Sequence, residues 1–206
     1  MLAREMEKLV EEEAPGPHPS FTLGHGLYAL FLIAESSVGR QKLASIMSIG
    51  EGSARTLLRK LTKRGLVVAD RSGCRLTPRG ASVYGEAKRA FYLFRPKHGS
   101  LPGKVSFGVG LRGGGGKAEG VQERDQAVKA GAEGAITLVY SEGKLYMPGL
   151  SNVSEEHPDL AESILNVVSP SDGDAIIVSW GSEVSEVVYG SLSAAWSLYE
   201  RPSSEG

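Results

Sequence analysis

The sequence predicts an α+β protein of two domains, and three observations carry that expectation. The charge changes sign along the chain. Residues 20–98 hold 14 Lys/Arg against 4 Asp/Glu, a balance of +10, whereas residues 99–206 hold 7 against 15, a balance of −8. The hydrophobic rhythm changes with it, from helical spacing in the first half to short strands alternating with helices in the second. Between the halves, residues 96–104 (PKHGSLPGK) gather turn formers and charge and predict a linker. A chain of 206 residues with 41% apolar content can build two small packed cores.

Composition excludes several classes. The longest apolar run, residues 27–34 (LYALFLIA), is far short of the roughly 20 residues that cross a bilayer. The first 19 residues are acidic, with a balance of −3, and lack the pattern of a signal peptide. One cysteine, Cys74, permits no intrachain disulfide and no cysteine metal cluster. The expectation is a cytoplasmic protein with no membrane partner and no cofactor, in which Cys74 is a small buried filler rather than a redox sensor.

The elements follow in order. Residues 1–13 predict a helix with Leu2, Met6, Leu9 and Val10 on one face, followed by a proline-rich arm to residue 19. That helix is either a solvated arm or a surface that packs on a partner subunit. Residues 24–35 predict a helix with almost no polar face, hence buried. A short helix over 41–47 and a second over 53–64 follow. The latter has an inward stripe of Ala54, Leu57, Leu58 and Leu61, and an outward face of Ser53, Arg55, Thr56, Arg59, Lys60 and Lys63. Gly65 ends it as a left-handed cap. Strands over 66–69 and 74–77 form a hairpin, with Gly73 at positive φ. Thr77 and Pro78 then cap and open a helix reaching about residue 94.

After the linker the predicted order is βαββαβα: a strand over 105–111, helix 121–130, strands 135–140 and 144–147, helix 158–168, strand 175–179 and helix 183–199. In the helix over 121–130, Val121, Ala127 and Val128 point inward. This is a two-layer α+β sandwich over 105–206.

Helix, helix, turn, helix, hairpin, helix over 20–95 is the order of a winged helix-turn-helix. A helix that enters a major groove needs one apolar face to dock on its own domain and one polar face for bases and phosphates. Residues 53–64 divide in that way. Ser53, Arg55 and Thr56 are placed for base edges, and Arg59, Lys60, Lys63 and Arg64 for phosphate. Arg71, Ser72 and Arg75 at the hairpin are placed for backbone or an adjacent minor groove. The stretch RQKLASIMSIGEGSARTLLRKLTKRGLVVADRSGCRLTPRG resembles the winged-helix domains of prokaryotic transcription regulators. The second half, with GVQERDQAVKAGAEGAITLVY and a later GDAIIVSW, resembles the C-terminal domain of an uncharacterised archaeal winged-helix family. The resemblance implies a DNA-binding regulator of archaeal type, with double-stranded DNA as partner. The alternatives are a winged-helix protein-docking adaptor and an RNA binder. A concentration of ten excess positive charges favours the polyanion.

The acidic domain carries no catalytic constellation. Gly108 to Gly113 matches GxGxxG in letters, but more glycine follows where a helix should open. Gly116-Lys117 ends like a P-loop, yet Leu111 stands where the first glycine belongs and Ala118 where Ser/Thr belongs. No histidine pair has ligand spacing, so no metal site is expected. What is left is dimerisation, with a homodimer as the expected state, or sensing of a small-molecule effector. Arg112, Lys117, Arg124, Asp125 and Trp180 are the candidate ligand residues. Arg124–Asp125 reads alternatively as a surface ion pair, and Trp180 as a core aromatic. The rival reading is an enzyme or binding protein that takes a phosphorylated ligand through Arg112, Lys117 and Arg124.

Overall fold

The computed structural model describes residues 1–10, 21–97, 99 and 101–202. The proline-rich arm over 14–19 lies outside the described residues. The chain divides into two compact units, Met1–Arg89 and Ala90–Gly206. The α+β architecture is the one the sequence predicts: a helical bundle with a β-hairpin, then an antiparallel sheet with helices.

In the first unit, α1 (Leu2–Val10) packs on α2 (Leu23–Glu35) and α4 (Glu51–Lys63). Leu2, Met6 and Leu9 are fully buried. The expectation of a free arm or a partner-docking helix is therefore corrected, because the apolar face of α1 completes its own unit's core. Helix α2 has no polar face and is buried along most of its length, including Leu27, Leu30 and Ile33. Its N-terminus is closed by His25, whose Nδ1 accepts the Thr22 backbone N–H at 3.0 Å. Helix α3 (Arg40–Ile46) buries Leu43 and Ala44. In α4 the stripe Ala54, Leu57, Leu58, Leu61 faces inward as its spacing requires. Gly65 stands at φ 66°, the left-handed cap.

The hairpin pairs β1 (Val67–Asp70) with β2 (Gly73–Leu76) around the two-residue turn Arg71-Ser72. Gly73 has φ 120°. The Val38 backbone adds a short third rung, since it exchanges N–H···O bonds with Cys74 at 2.9 and 3.4 Å. That rung fixes the hairpin against the segment leading into α3. Thr77 caps α5 (Pro78–Ala90), accepting the Gly80 N–H at 3.0 Å. Gly80 has to be glycine, because a Cβ there would sit 1.9 Å from the Leu66 carbonyl oxygen. Cys74 is buried, and burial followed by the Asp70 charge pushes its thiol pKa up, which fits a filler role.

The second unit holds one five-stranded antiparallel sheet in the order β3-β4-β7-β5-β6. The strands are β3 (Phe91–Phe94), β4 (Val105–Leu111), β5 (Gly134–Ser141), β6 (Lys144–Tyr146) and β7 (Ala175–Gly181). The expected βαββαβα order is present with one more strand in front. Residues 91–94 continue no helix; they form β3, paired with β4. The expected linker over 96–104 is corrected in the same way. Lys97 donates its N–H to the Ser163 carbonyl and Lys104 to that of Gly181, so its described ends are bonded into the second unit.

Strands β4 and β5 run parallel, with β7 inserted antiparallel between them and α6 (Val121–Lys129) crossing over. Helix α6 and the long α9 (Val184–Glu200) cover one face. On the other, α7 (Val153–Glu156) and α8 (Pro158–Leu165) supply Val153, Leu160 and Ile164 to a core with Leu138, Ile176 and Val178. Residues 175–178 of β7 are a continuous apolar run, because the strand is buried on both sides there. Tyr92 and Phe94 of β3 lie directly over Gly110 and Gly108 of β4, leaving no room for a Cβ at either glycine. In α6 the inward residues are Ala127 and Glu123, while Val121 and Val128 are exposed. This corrects the expected inward pair. Glu123 is drawn in because it accepts the Glu119 and Gly120 N–H groups and pairs with Arg201 at 2.7 Å.

Candidate nucleic-acid interface

The outward face of α4, the hairpin and the start of α3 enclose one open groove of about 870 Å³. Arg40, Arg55, Arg59, Lys63 and Arg71 line it, together with Thr62, Ser72, Leu58, Ala69 and Cys74 and, among the described residues, a single carboxylate, Asp70. The local reasons are simple. Positions 55, 59, 62 and 63 follow helical spacing on the face opposite Leu57 and Leu61. The two-residue turn projects Arg71 and Ser72 at the hairpin tip. The Val38–Cys74 rung brings Gly39 and Arg40 to the groove's edge.

The structure separates the sequence candidates. Arg55, Arg59, Lys63, Arg71 and Ser72 come together in the groove. Ser53 and Thr56 lie near the start of the same helix, with the Thr56 hydroxyl donating to the Gly52 carbonyl at 3.0 Å. Lys60 does not face outward. It is 6% exposed, its ammonium donates to the Leu9 carbonyl at 2.8 Å, and it stands 5.8 Å from the Phe21 ring centroid. Arg64 is also turned away, bonded to Glu5 with Nε–Oε2 at 2.7 Å. Both placements are corrected for one reason: α1 docks on that side of α4 and supplies the acceptors. Glu5 bridges Arg64 and Arg79. Its burial opposes ionisation, but the bonds and charges of Arg79 and Arg64 outweigh that and hold its carboxyl below the usual range. Arg75 is exposed but paired across the hairpin with Asp70. Asp70 also accepts the Ser72 side chain and backbone N–H, and these bonds, then Arg75, lower its pKa. Arg40 is the residue that sequence reasoning missed. Its signal was the VGR turn before α3, whose spatial neighbour only the Val38 rung reveals.

The ligand candidates of the second unit are engaged separately. Arg112 lies 5.1 Å from the Tyr92 ring centroid, and its Nη1 is 3.9 Å from the buried Asp174 carboxylate. Lys117 donates to the Tyr199 and Arg201 carbonyls at the end of α9. Arg124 and Asp125 form an exposed ion pair at 3.4 Å. The glycine run is docked: Gly113 N–H donates to Asp174, Gly114 to Leu111 and Gly115 to Gly173. Those donors are therefore already engaged within the unit and not offered to a bound anion. Trp180 lines a separate cleft beside the start of α8. Among the described residues no group of three or more His, Cys, Asp or Glu is placed to hold a metal ion, and no helix is long and apolar enough to cross a membrane.

Two family models match the chain. One, described as PH0730-like, N-terminal domain, matches residues 22–82; the other, a domain of unknown function (DUF4443), matches residues 102–198. The two matches fall on either side of the boundary between the compact units. Among solved structures, the chain is similar to a hypothetical protein, PH0730, from Pyrococcus horikoshii OT3. The identity is 25% with a TM-score of 0.74, covering 88% of this chain and 94% of that one. No curated protein matches.

Proposed function

We propose that the protein is a transcriptional regulator that binds duplex DNA through the groove between α4 and the hairpin. The observation that carries this reading is the convergence of Arg40, Arg55, Arg59, Lys63 and Arg71 on one concave surface made by a helix and a β-turn. A helix face with cations along one side fits a major groove, and a cationic turn beside it fits backbone or minor groove. The named groove residues include no aromatic, whereas single-stranded nucleic acid is typically held by aromatic stacking. That favours duplex over single-stranded RNA. The second unit carries a formal balance of −6 over residues 90–206, so it is expected to stay off the duplex and to serve dimerisation or sensing.

The decisive experiment is binding of the full chain to a mixed-sequence duplex, compared with an Arg55→Ala/Arg59→Ala variant. The wild type binds, and the variant binds much more weakly, with a shallower dependence on salt. Equal binding by both, or none by the wild type at low salt, refutes the reading. A protein-docking adaptor would show the second result. Dimerisation is proposed because one short recognition helix reads few base pairs and a symmetric pair doubles the contact. A monomer in sedimentation at high concentration would remove that part.

A further inference from the structure

We propose that the cleft at Trp180 binds a small organic cation: an ammonium or guanidinium group carried on an apolar body. The cleft measures about 510 Å³, within the range of small-molecule sites. Its apolar wall is formed by Trp180 and Ile136 from neighbouring strands of the sheet, Met147 just beyond β6, and Leu160 of α8. The indole is seated against Gly134, where a Cβ would come within 2.4 Å of its ring. Among aromatic side chains, an indole is the strongest cation–π partner. The rim carries Glu156 and Asp159, both exposed, with His157 between them, and among the described residues no Lys or Arg lines the cleft. The nearby Lys144 is paired with Glu155 at 2.6 Å. Apolar wall and acidic rim together select an amphipathic cation and disfavour a phosphorylated ligand. As an effector site the cleft rests on the regulatory reading above; as a binding site it stands alone.

The test uses the ¹⁵N-labelled full chain, with the Trp180 indole N–H signal assigned by Trp180→Phe. The probes are 2-phenylethylammonium and 3-phenylpropionate, which share an apolar body and differ in charge. The cation produces a saturable shift of the Trp180 signal, with the anion weaker by about tenfold, the scale of two exposed ion pairs. Trp196, buried on α9, does not move. A Glu156→Lys/Asp159→Lys variant reverses the order of the two probes. No shift with either probe up to millimolar concentration, an equal response to both, or equal movement of Trp196 overturns the proposal. The Arg55→Ala/Arg59→Ala variant keeps the cation response, so failure of DNA binding and failure of the cation site are read separately.

Discussion

The salt dependence of DNA binding follows from a short list of side chains. Five cations line the groove: Arg40, Arg55, Arg59, Lys63 and Arg71. If each neutralises one phosphate, log K falls against log salt with a slope of about −4.5, since each contact contributes about −0.9. Between 50 and 200 mM salt the affinity then drops by roughly 500-fold. Arg55→Ala/Arg59→Ala leaves three contacts, a slope of about −2.7 and a drop of roughly 40-fold. Lys60→Met is the informative control. Its ammonium is committed to the Leu9 carbonyl, so its loss changes stability and leaves the slope unchanged. Fluorescence anisotropy of a labelled duplex across a salt series measures all three. A wild-type slope near zero refutes the account, as does a Lys60→Met slope reduced as much as that of an arginine variant.

Acid weakens the first unit in two steps. Burial pushes the His25 pKa down to about 4, so between about 6.5 and 4 the unfolded chain takes up a proton that the folded one refuses. Stability is complete above that window and falls by at most about 3 kcal/mol across it. The Glu5 carboxylate, lowered by Arg79 and Arg64, loses its contribution at still lower pH, as the pH falls through its folded value. Thermal melts of wild type and His25→Gln check this, since the variant has a flatter profile between pH 6.5 and 4. Glu5→Ala leaves the largely buried Arg64 without its carboxylate and costs about 3 kcal/mol by urea unfolding. Gly80→Ala forces α5 away from the Leu66 carbonyl and costs about 2–3 kcal/mol in the same assay.

Local pattern was enough to read most elements, and long-range docking accounts for the misses. The α4 stripe, the Gly65 cap, the Thr77 cap and the hairpin all depend on residues within a few positions of one another, although the turn is two residues rather than the four over 70–73 that the sequence predicts. Lys60 and Arg64 border the apolar stripe, and only the docking of α1, more than 50 residues away, turns them inward. Val121 and Val128 read as inward on periodicity, yet Arg201, 78 residues from Glu123, draws that carboxylate beneath the helix instead. Strand β3 follows α5 with no turn former between Ala90 and Phe91, so nothing local marks the switch. A signal did exist: Tyr92 and Phe94 alternate in step with Gly108 and Gly110, and large rings over glycines are a cross-strand pairing. The P-loop-like glycine run misleads because the Gly113 and Gly115 N–H groups serve the Gly173–Asp174 turn and that of Gly114 bonds to Leu111.

Amide chemical-shift mapping of the full chain with a mixed-sequence duplex tests the central claim most directly. The account predicts that shifts gather at residues 39–40, 53–63 and 69–74 and leave 105–202 almost unmoved. Shifts concentrated in the acidic unit, or spread evenly over both, would contradict it.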